Sequence, residues 1–115
     1  MALELDPEHW LTYGMGNRVP ALMFGNTALL ARDPVKVPAR FADAEHLRLS
    51  GLLWPEARER WARTAYVTRE RKGEGQIVLF AGEPAFRGSL EGTQRLLMNS
   101  ILLGPGCGTS HPVEW

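Results

Sequence analysis

The chain has 115 residues, of which 13 are basic and 13 acidic, so its formal net charge at neutral pH is zero. This length predicts one domain, and the charge balance excludes the strong positive field by which many proteins bind nucleic acids or anionic membranes. No apolar run approaches the roughly 20 residues that span a bilayer, and the single cysteine excludes an internal disulfide. We therefore expect no nucleic-acid or membrane partner, and a cytoplasmic location unless the sequence belongs to a longer exported protein.

The first half of the chain predicts short elements separated by turns. The run Asp6–Glu8 favours the start of a short helix, because it supplies an N-cap, a proline at the first position and an acid in the first turn. Apolar or alternating runs predict three short strands, at residues 19–24, 27–31 and 35–37. The dipeptide Gly25–Asn26 predicts a turn between the first two. Pro38 lacks an N–H group and therefore predicts an edge position for the third.

The second half carries stronger patterns. A helix is predicted from Pro55 to about Trp61, because proline and glutamate favour its first turn. A β-hairpin follows, with strands predicted at residues 64–71 and 76–81 and a turn at residues 73–75. The second of these strands is apolar throughout and is predicted to be covered on both faces. The last helix, capped by Ser89, has leucine and isoleucine at helical spacing and ends at Gly104–Pro105.

Polar side chains at the junction between the last strand and the last helix predict a ligand-binding site. Arg95 and Asn99 are four residues apart and share one helix face, close to a helix N-terminus whose open N–H groups favour anions. The candidate ligand-binding residues are Glu83, Arg87, Arg95 and Asn99, with Trp10 and Tyr13 as a stacking wall. One alternative is that the two arginines form ion pairs with Glu83 and Glu91 that hold the turn. Another is that the two aromatic residues anchor the chain terminus by packing.

Two features near the C-terminus have part of the pattern of a catalytic site. The spacing in the segment His111–Glu114 suits a zinc-binding pair, but a catalytic zinc site needs a third protein ligand, from His9 or His46. Cys107 lies in a tail without a predicted helix to bring a base close to it. The turn at residues 82–88 has no serine or cysteine for a nucleophile elbow. The sequence therefore predicts no catalytic residue, no metal site and no cofactor.

Five segments occur in an order that resembles a known family: His9–Gly14, Ser50–Glu56, Gly73–Phe80, Glu83–Gly88 and Gly92–Asn99. Together they resemble the C-terminal region of bacterial proteins of the zinc carboxypeptidase A type. That region is similar to class I glutamine amidotransferase-like domains, which have a flavodoxin-like fold. The zinc ligands and catalytic glutamate of the peptidase domain, and the nucleophilic cysteine of true glutamine amidotransferases, have no counterpart here. No catalytic residue therefore carries over.

These observations give one expectation for the fold and two for the function. The fold is expected to be α/β, with a mixed sheet resembling the C-terminal part of a glutamine amidotransferase-like domain, a late β-hairpin and a C-terminal helix. Its core is expected at about residues 6–105, followed by a tail at 106–115.

The first functional expectation is a non-catalytic accessory domain that associates with a partner domain or with a copy of itself. It rests on the sheet edge and apolar face that a partial doubly wound sheet leaves uncovered. The alternative is a module that binds a carbohydrate or carboxylate at residues 83–99.

Overall fold

The structure, a computed structural model, describes the backbone of residues 1–24, 27–88 and 90–107, and the side chains of these residues except Arg87 and Cys107. The sheet strands of this part are β1 (Ala2–Leu5), β2 (Arg18–Pro20), β3 (Lys36–Phe41), β4 (Ala65–Lys72) and β5 (Gly75–Phe80). Its helices are α1 (Pro55–Trp61), α2 (Glu91–Leu102) and α3 (Gly104–Cys107), with 3-10 turns at Trp10–Thr12 and Phe86–Gly88. None of these helices has the length and apolar character needed to cross a membrane.

The strands lie in the order β2-β1-β3-β4-β5, and each pairing of the described strands is antiparallel. The prediction of an α/β chain with a late hairpin and a C-terminal helix is confirmed in this form. The predicted mixed sheet is wrong for the described strands. A parallel pair needs a crossover connection, usually through a helix. Here α1 leads into β4, which runs antiparallel to β3, and α2 follows the last strand of the sheet.

Two strands near the centre of the sheet differ from the sequence prediction. β1 is not predicted at all, although its Leu3 and Leu5 are buried in the core. β3 is the third of the five strands, whereas Pro38 predicts an edge position. The sheet accommodates Pro38 because the register of β3 on β4 shifts between Lys36 and Ala39. The missing N–H group of proline therefore falls at an irregularity, where the ladder is already interrupted.

The strands predicted at 19–24 and 27–31 are short or absent. β2 ends at Pro20, and residues 21–24 have no regular secondary structure. In the second segment Leu29 forms a single bridge with Ala65, whose N–H donates to the Leu29 carbonyl over 2.9 Å. The predicted turn at Gly25–Asn26 lies outside the described residues.

The elements of the second half agree more closely with their local signals. α1 forms at the predicted residues, with the proline in its first turn. The β4–β5 hairpin closes through Gly73–Glu74, and Gly73 has φ +59, the left-handed conformation that glycine adopts without strain. α2 ends at Leu102, before Gly104 as predicted. Its N-cap is Leu90, which provides no side-chain hydrogen bond, and the predicted cap Ser89 lies outside the described residues.

β5 is covered on one face only, which corrects the prediction that both faces are buried. Val78 and Phe80 pack against the core, whereas Ile77 and Leu79 point the other way and remain 40% and 50% exposed. An apolar run of four residues does not distinguish a buried central strand from an edge strand. Its position is decided by the strand order, which leaves β5 at one side of the sheet.

The core lies between the sheet and α2. Its buried residues are Leu3, Leu5, Leu11, Ala21, Ala39, Phe41, Leu47, Trp61, Tyr66, Val67 and Leu96. Phe41 makes edge-to-face contacts with Trp61 and Tyr66, at ring-centroid distances of 5.1 and 5.7 Å. Tyr66 makes a third such contact with Phe80 at 6.2 Å. This geometry is favourable for aromatic pairs and ties α1 to the central strands.

The first turn of α2 approaches β2 so closely that only glycine fits there. A Cβ atom on Gly92 would lie 2.8 Å from Cβ of Val19, inside the normal contact distance. We expect Gly92→Ala to lower the free energy of unfolding by roughly 1–2 kcal/mol, because overpacking outweighs the gain of about 1 kcal/mol in helix propensity. The measurement is the urea midpoint. Gly106→Ala is the control, since no atom lies within 4 Å of that position. An unchanged or raised midpoint for Gly92→Ala contradicts the prediction.

Candidate functional site

The N-terminal 3-10 turn at Trp10–Thr12 is held by side chains just before it. The carboxylate of Asp6 accepts from the Glu8 N–H over 3.0 Å, and Nδ1 of His9 accepts from the Leu11 N–H over 3.1 Å. The Thr12 hydroxyl lies within hydrogen-bond distance of the carbonyls of Asp6 and His9, which share its one hydrogen. The short helix predicted from Asp6 therefore forms as this single turn. Burial lowers the pKa of His9, and the positive charge of Arg69 lowers it further, which keeps Nδ1 available as an acceptor.

Asn99 fastens α2 to this turn. Its side chain is buried, and Nδ2 donates to the carbonyls of Leu11 (2.8 Å) and Tyr13 (3.0 Å). Its Oδ1 accepts from Nε of Arg95 over 3.3 Å. Both amide hydrogens are thus used by the backbone of a segment more than 80 residues away in sequence. This geometry joins the two ends of the described chain.

The predicted ligand-binding residues come together only in part. Arg95 lies against Gly14, with Nη2 2.6 Å from the position that a Cβ there would take. Asn99 belongs to the same cluster, which Tyr13 joins through its backbone carbonyl while its side chain stays 69% exposed. Trp10 lies elsewhere, with its ring 3.8 Å from the Cβ position of Gly104 at the far end of α2. Glu83 is exposed and lines a separate cleft. Arg87 belongs to the 3-10 turn Phe86–Gly88, and its side chain lies outside the described set.

The alternative in which ion pairs hold the turn is tested only for Arg95, because the side chain of Arg87 lies outside the described set. No ion pair joins Arg95 to Glu83 or Glu91, and its Nε donates to Asn99 instead. The turn before α2 is fixed by Thr93, whose hydroxyl donates to the carbonyl of Pro84 over 2.7 Å. Glu91 places a negative charge in the first turn of α2, which disfavours an anion there. Ligand binding at residues 83–99 stays a prediction, which a thermal-shift panel of anions and sugars tests.

The described residues contain no group of three metal-ligating side chains. His46 pairs with Asp43 on the surface, at 2.7 Å between Nδ1 and Oδ1, and this hydrogen bond holds the pKa of Asp43 below its ordinary value. No third ligand joins that pair. The segment His111–Glu114 and the side chain of Cys107 lie outside the described part of the chain.

A surface that the sequence analysis does not single out lies beside segment 20–24. A cleft of about 360 Å³ runs between this segment and residues 48–53; we call it the apolar groove. It is lined by Met1, Pro20, Ala21, Leu22, Met23, Phe24, Arg48, Leu49, Ser50, Gly51, Leu52, Leu53 and Leu90. Phe24, Leu49 and Leu52 are 75%, 56% and 81% exposed, so large apolar side chains face solvent around it. Phe24 also contacts the ring of Phe86, at 5.1 Å between centroids.

The charged groups at the apolar groove are positive. Arg48 lines both the groove and a neighbouring cavity of about 410 Å³, whose other charged side chains are Glu45 and Arg18, the latter paired with Glu4. Nε of Arg48 donates to the Gly51 carbonyl over 2.9 Å. Within the described residues Arg48 forms no ion pair. The α-amino group of Met1 donates to the Ala21 carbonyl over 2.7 Å, and burial lowers its pKa.

Comparisons of the chain with protein families, with characterised proteins and with solved structures give no match.

One feature of the sequence points to the apolar groove, namely the leucines on both sides of the turn Ser50–Gly51. That signal does not separate core leucines from surface leucines. Leu47 is buried and Leu49 is exposed, although both flank the same turn.

Proposed function

We propose that this chain is a non-catalytic accessory domain that binds a partner protein through the apolar groove. The observation that carries this proposal is the exposure of Phe24, Leu49 and Leu52 around one cleft. Contiguous exposed apolar side chains of this kind mark interaction sites, whereas single exposed leucines need no explanation. The resemblance to the region that follows zinc carboxypeptidase domains suits such a role beside a larger protein, and it rests on the sequence pattern alone.

The partner in this proposal is an apolar segment with a carboxylate next to it. The groove offers leucine, methionine and phenylalanine side chains to an apolar ligand. Arg48 stands at its border and has a guanidinium that suits a bidentate carboxylate. Such pairs fix the orientation of the partner, while apolar burial supplies most of the affinity.

A displayed peptide library tests the proposal directly. We expect selection on the intact chain to enrich peptides that place aspartate or glutamate beside two or three large apolar residues. Their affinity, measured by fluorescence anisotropy, should fall at least about tenfold for Leu52→Ser, since loss of a buried leucine contact is worth about 1.4 kcal/mol or more. Arg48→Gln should weaken acidic peptides more than their amide analogues.

Leu30→Ser is the matched control. Leu30 is 86% exposed and does not line the apolar groove. The Leu30→Ser variant should bind the selected peptides with the same affinity as the original chain. Enriched peptides that bind Leu52→Ser and the original chain equally well would reject the groove as the binding surface.

A further inference from the structure

Alternate residues of β5 direct their backbone N–H and C=O groups away from the sheet. The Ala81 N–H donates to the Tyr66 carbonyl over 2.8 Å, and the register of the hairpin places these two residues opposite each other. In an antiparallel pair, hydrogen-bonded and non-bonded positions alternate. The N–H and C=O groups of Ile77 and Leu79 therefore point towards β4. Those of Gln76, Val78 and Phe80 point away from the sheet, where no hydrogen bond from the described residues reaches them.

Within the described residues, β5 has none of the charges, prolines or bulges that protect edge strands. Natural edges are blunted by charged side chains, prolines, bulges or very short strands. β5 has six residues without a charge or a proline, and its register on β4 is regular throughout. β2 at the opposite edge has three residues, of which the first is Arg18 and the last Pro20. Of the two edges of the described sheet, β5 is therefore much better suited than β2 to pair with a strand of another chain.

The outward groups of β5 are complementary to themselves. When two copies run antiparallel with a two-fold axis at Val78, the Val78 residues bond to each other. Gln76 of each copy then bonds to Phe80 of the other. All six outward N–H groups find an outward carbonyl in this register. Ile77 of one copy lies opposite Leu79 of the other, an apolar cross-strand pair. A closed two-fold contact of this kind stops at two copies.

The side chains beside the edge are apolar on both faces of the sheet. On one face these are Ile77 and Leu79. On the other, Ile101 of α2 lines a cleft of about 340 Å³ together with Gln76 and Val78. Met98 is exposed and lies at helical spacing from Ile101 and from Leu102, three and four residues before them, so the exposed side chains of Met98 and Leu102 continue this surface. A two-fold axis perpendicular to the sheet places both α2 helices on the same side of the joined strands.

We propose that two copies of this chain form a dimer through β5, with Val78 on the two-fold axis and a continuous sheet of ten strands. No ionisable side chain of β5 enters this seam, so two identical edges meet without like-charge repulsion. The five apolar side chains beside each edge and the paired backbone bury roughly 1,000 Å² in total, near the lower limit for a specific interface. We therefore expect a dimer that dissociates on dilution in the micromolar range. The seam contains no residue of the apolar groove, so the two surfaces act independently.

Sedimentation equilibrium from about 1 µM to about 1 mM tests this dimer. We expect the original chain to pass from monomer to dimer across this range. Ile77→Lys and Leu79→Glu should each weaken self-association at least about tenfold, because each places a charge against an apolar residue of the other copy. An equimolar mixture of the two variants should restore the dimer, since position 77 of one copy faces position 79 of the other. Both side chains are partly exposed, and circular dichroism checks that the variants fold.

Leu30→Lys is the matched control on an exposed leucine away from β5, and it should leave self-association unchanged. A chain that stays monomeric at 1 mM would overturn the proposal, and so would a mixture that remains monomeric. A dimer that is lost with Leu52→Ser and kept with Leu79→Glu would assign self-association to the apolar groove and overturn the β5 seam. Leu79→Glu should bind the selected peptides normally, so failure of the dimer and failure of the proposed function give different results.

Discussion

Asn99→Leu is expected to lower the free energy of unfolding by about 3 kcal/mol. Leucine has a similar size to asparagine but donates no hydrogen bond, so the carbonyls of Leu11 and Tyr13 lose their partner. An unpaired buried polar group costs about 1–3 kcal/mol, and two carbonyls are affected here. Urea denaturation followed by circular dichroism measures the loss. It also tests whether α2 is held on the N-terminal turn by this amide.

Two further variants make the Asn99 result specific. Asn99→Asp keeps the shape but replaces both amide hydrogens by a carboxylate oxygen, and it should destabilise the chain at neutral pH at least as strongly. Ser100→Ala on the same helix removes only a hydroxyl that bonds within α2, to the carbonyl of Leu97. That change should stay within about 0.5 kcal/mol. If Asn99→Leu is as stable as the original chain, the amide does not hold α2, and the ligand-binding prediction for Asn99 gains weight.

The elements of the second half follow from local signals. Proline and glutamate at the start of α1, glycine in the β4–β5 turn and glycine after α2 each act within a few residues of the element that they define. The sequence therefore predicts these elements to within one or two residues.

The strand order follows from contacts that are distant in sequence. Leu3 of β1 lies opposite Val19 on one side and Phe41 on the other, so β1 forms only when both partners are present. Neither partner is visible in the local pattern around residues 2–5. In the same way, the place of Pro38 in a central strand depends on a register shift against β4.

The candidate sites also combine features that local spacing predicts with features that depend on contacts distant in sequence. The shared helix face of Arg95 and Asn99 follows from their spacing, and the structure joins them by a hydrogen bond. The hydrogen bonds of the Asn99 side-chain amide cannot be predicted from this spacing, because their acceptors, the carbonyls of Leu11 and Tyr13, come from the other end of the chain. The apolar groove depends on which leucines the fold leaves outside. The exposure of these leucines is a property of the folded chain, and so is the position of β5 at the edge of the described sheet.

Tyr66 is expected to make the chain less stable as the pH rises above about 10. Its hydroxyl is buried without a hydrogen-bond partner among the described residues, and burial raises the pKa of Tyr66 to about 12. The unfolded chain releases this proton at a pH near 10, whereas the folded chain keeps it until about 12. Between these values the folded state binds more protons than the unfolded state, so stability falls as pH rises. The fall over the whole interval is roughly 2–3 kcal/mol.

Tyr66→Phe isolates this effect from the other groups that titrate in alkali. At neutral pH phenylalanine removes an unpaired polar group and keeps the edge-to-face contacts with Phe41 and Phe80, so we expect a gain of about 1 kcal/mol in stability. The advantage of the variant should then widen above pH 10, approaching about 1.4 kcal/mol for each pH unit. Tyr13→Phe removes the hydroxyl of an exposed tyrosine and is the control for the substitution itself. Urea midpoints at half-unit intervals between pH 8 and pH 11.5 measure the difference. Parallel curves for the original chain and Tyr66→Phe would mean that the Tyr66 hydroxyl reaches water or an acceptor in solution.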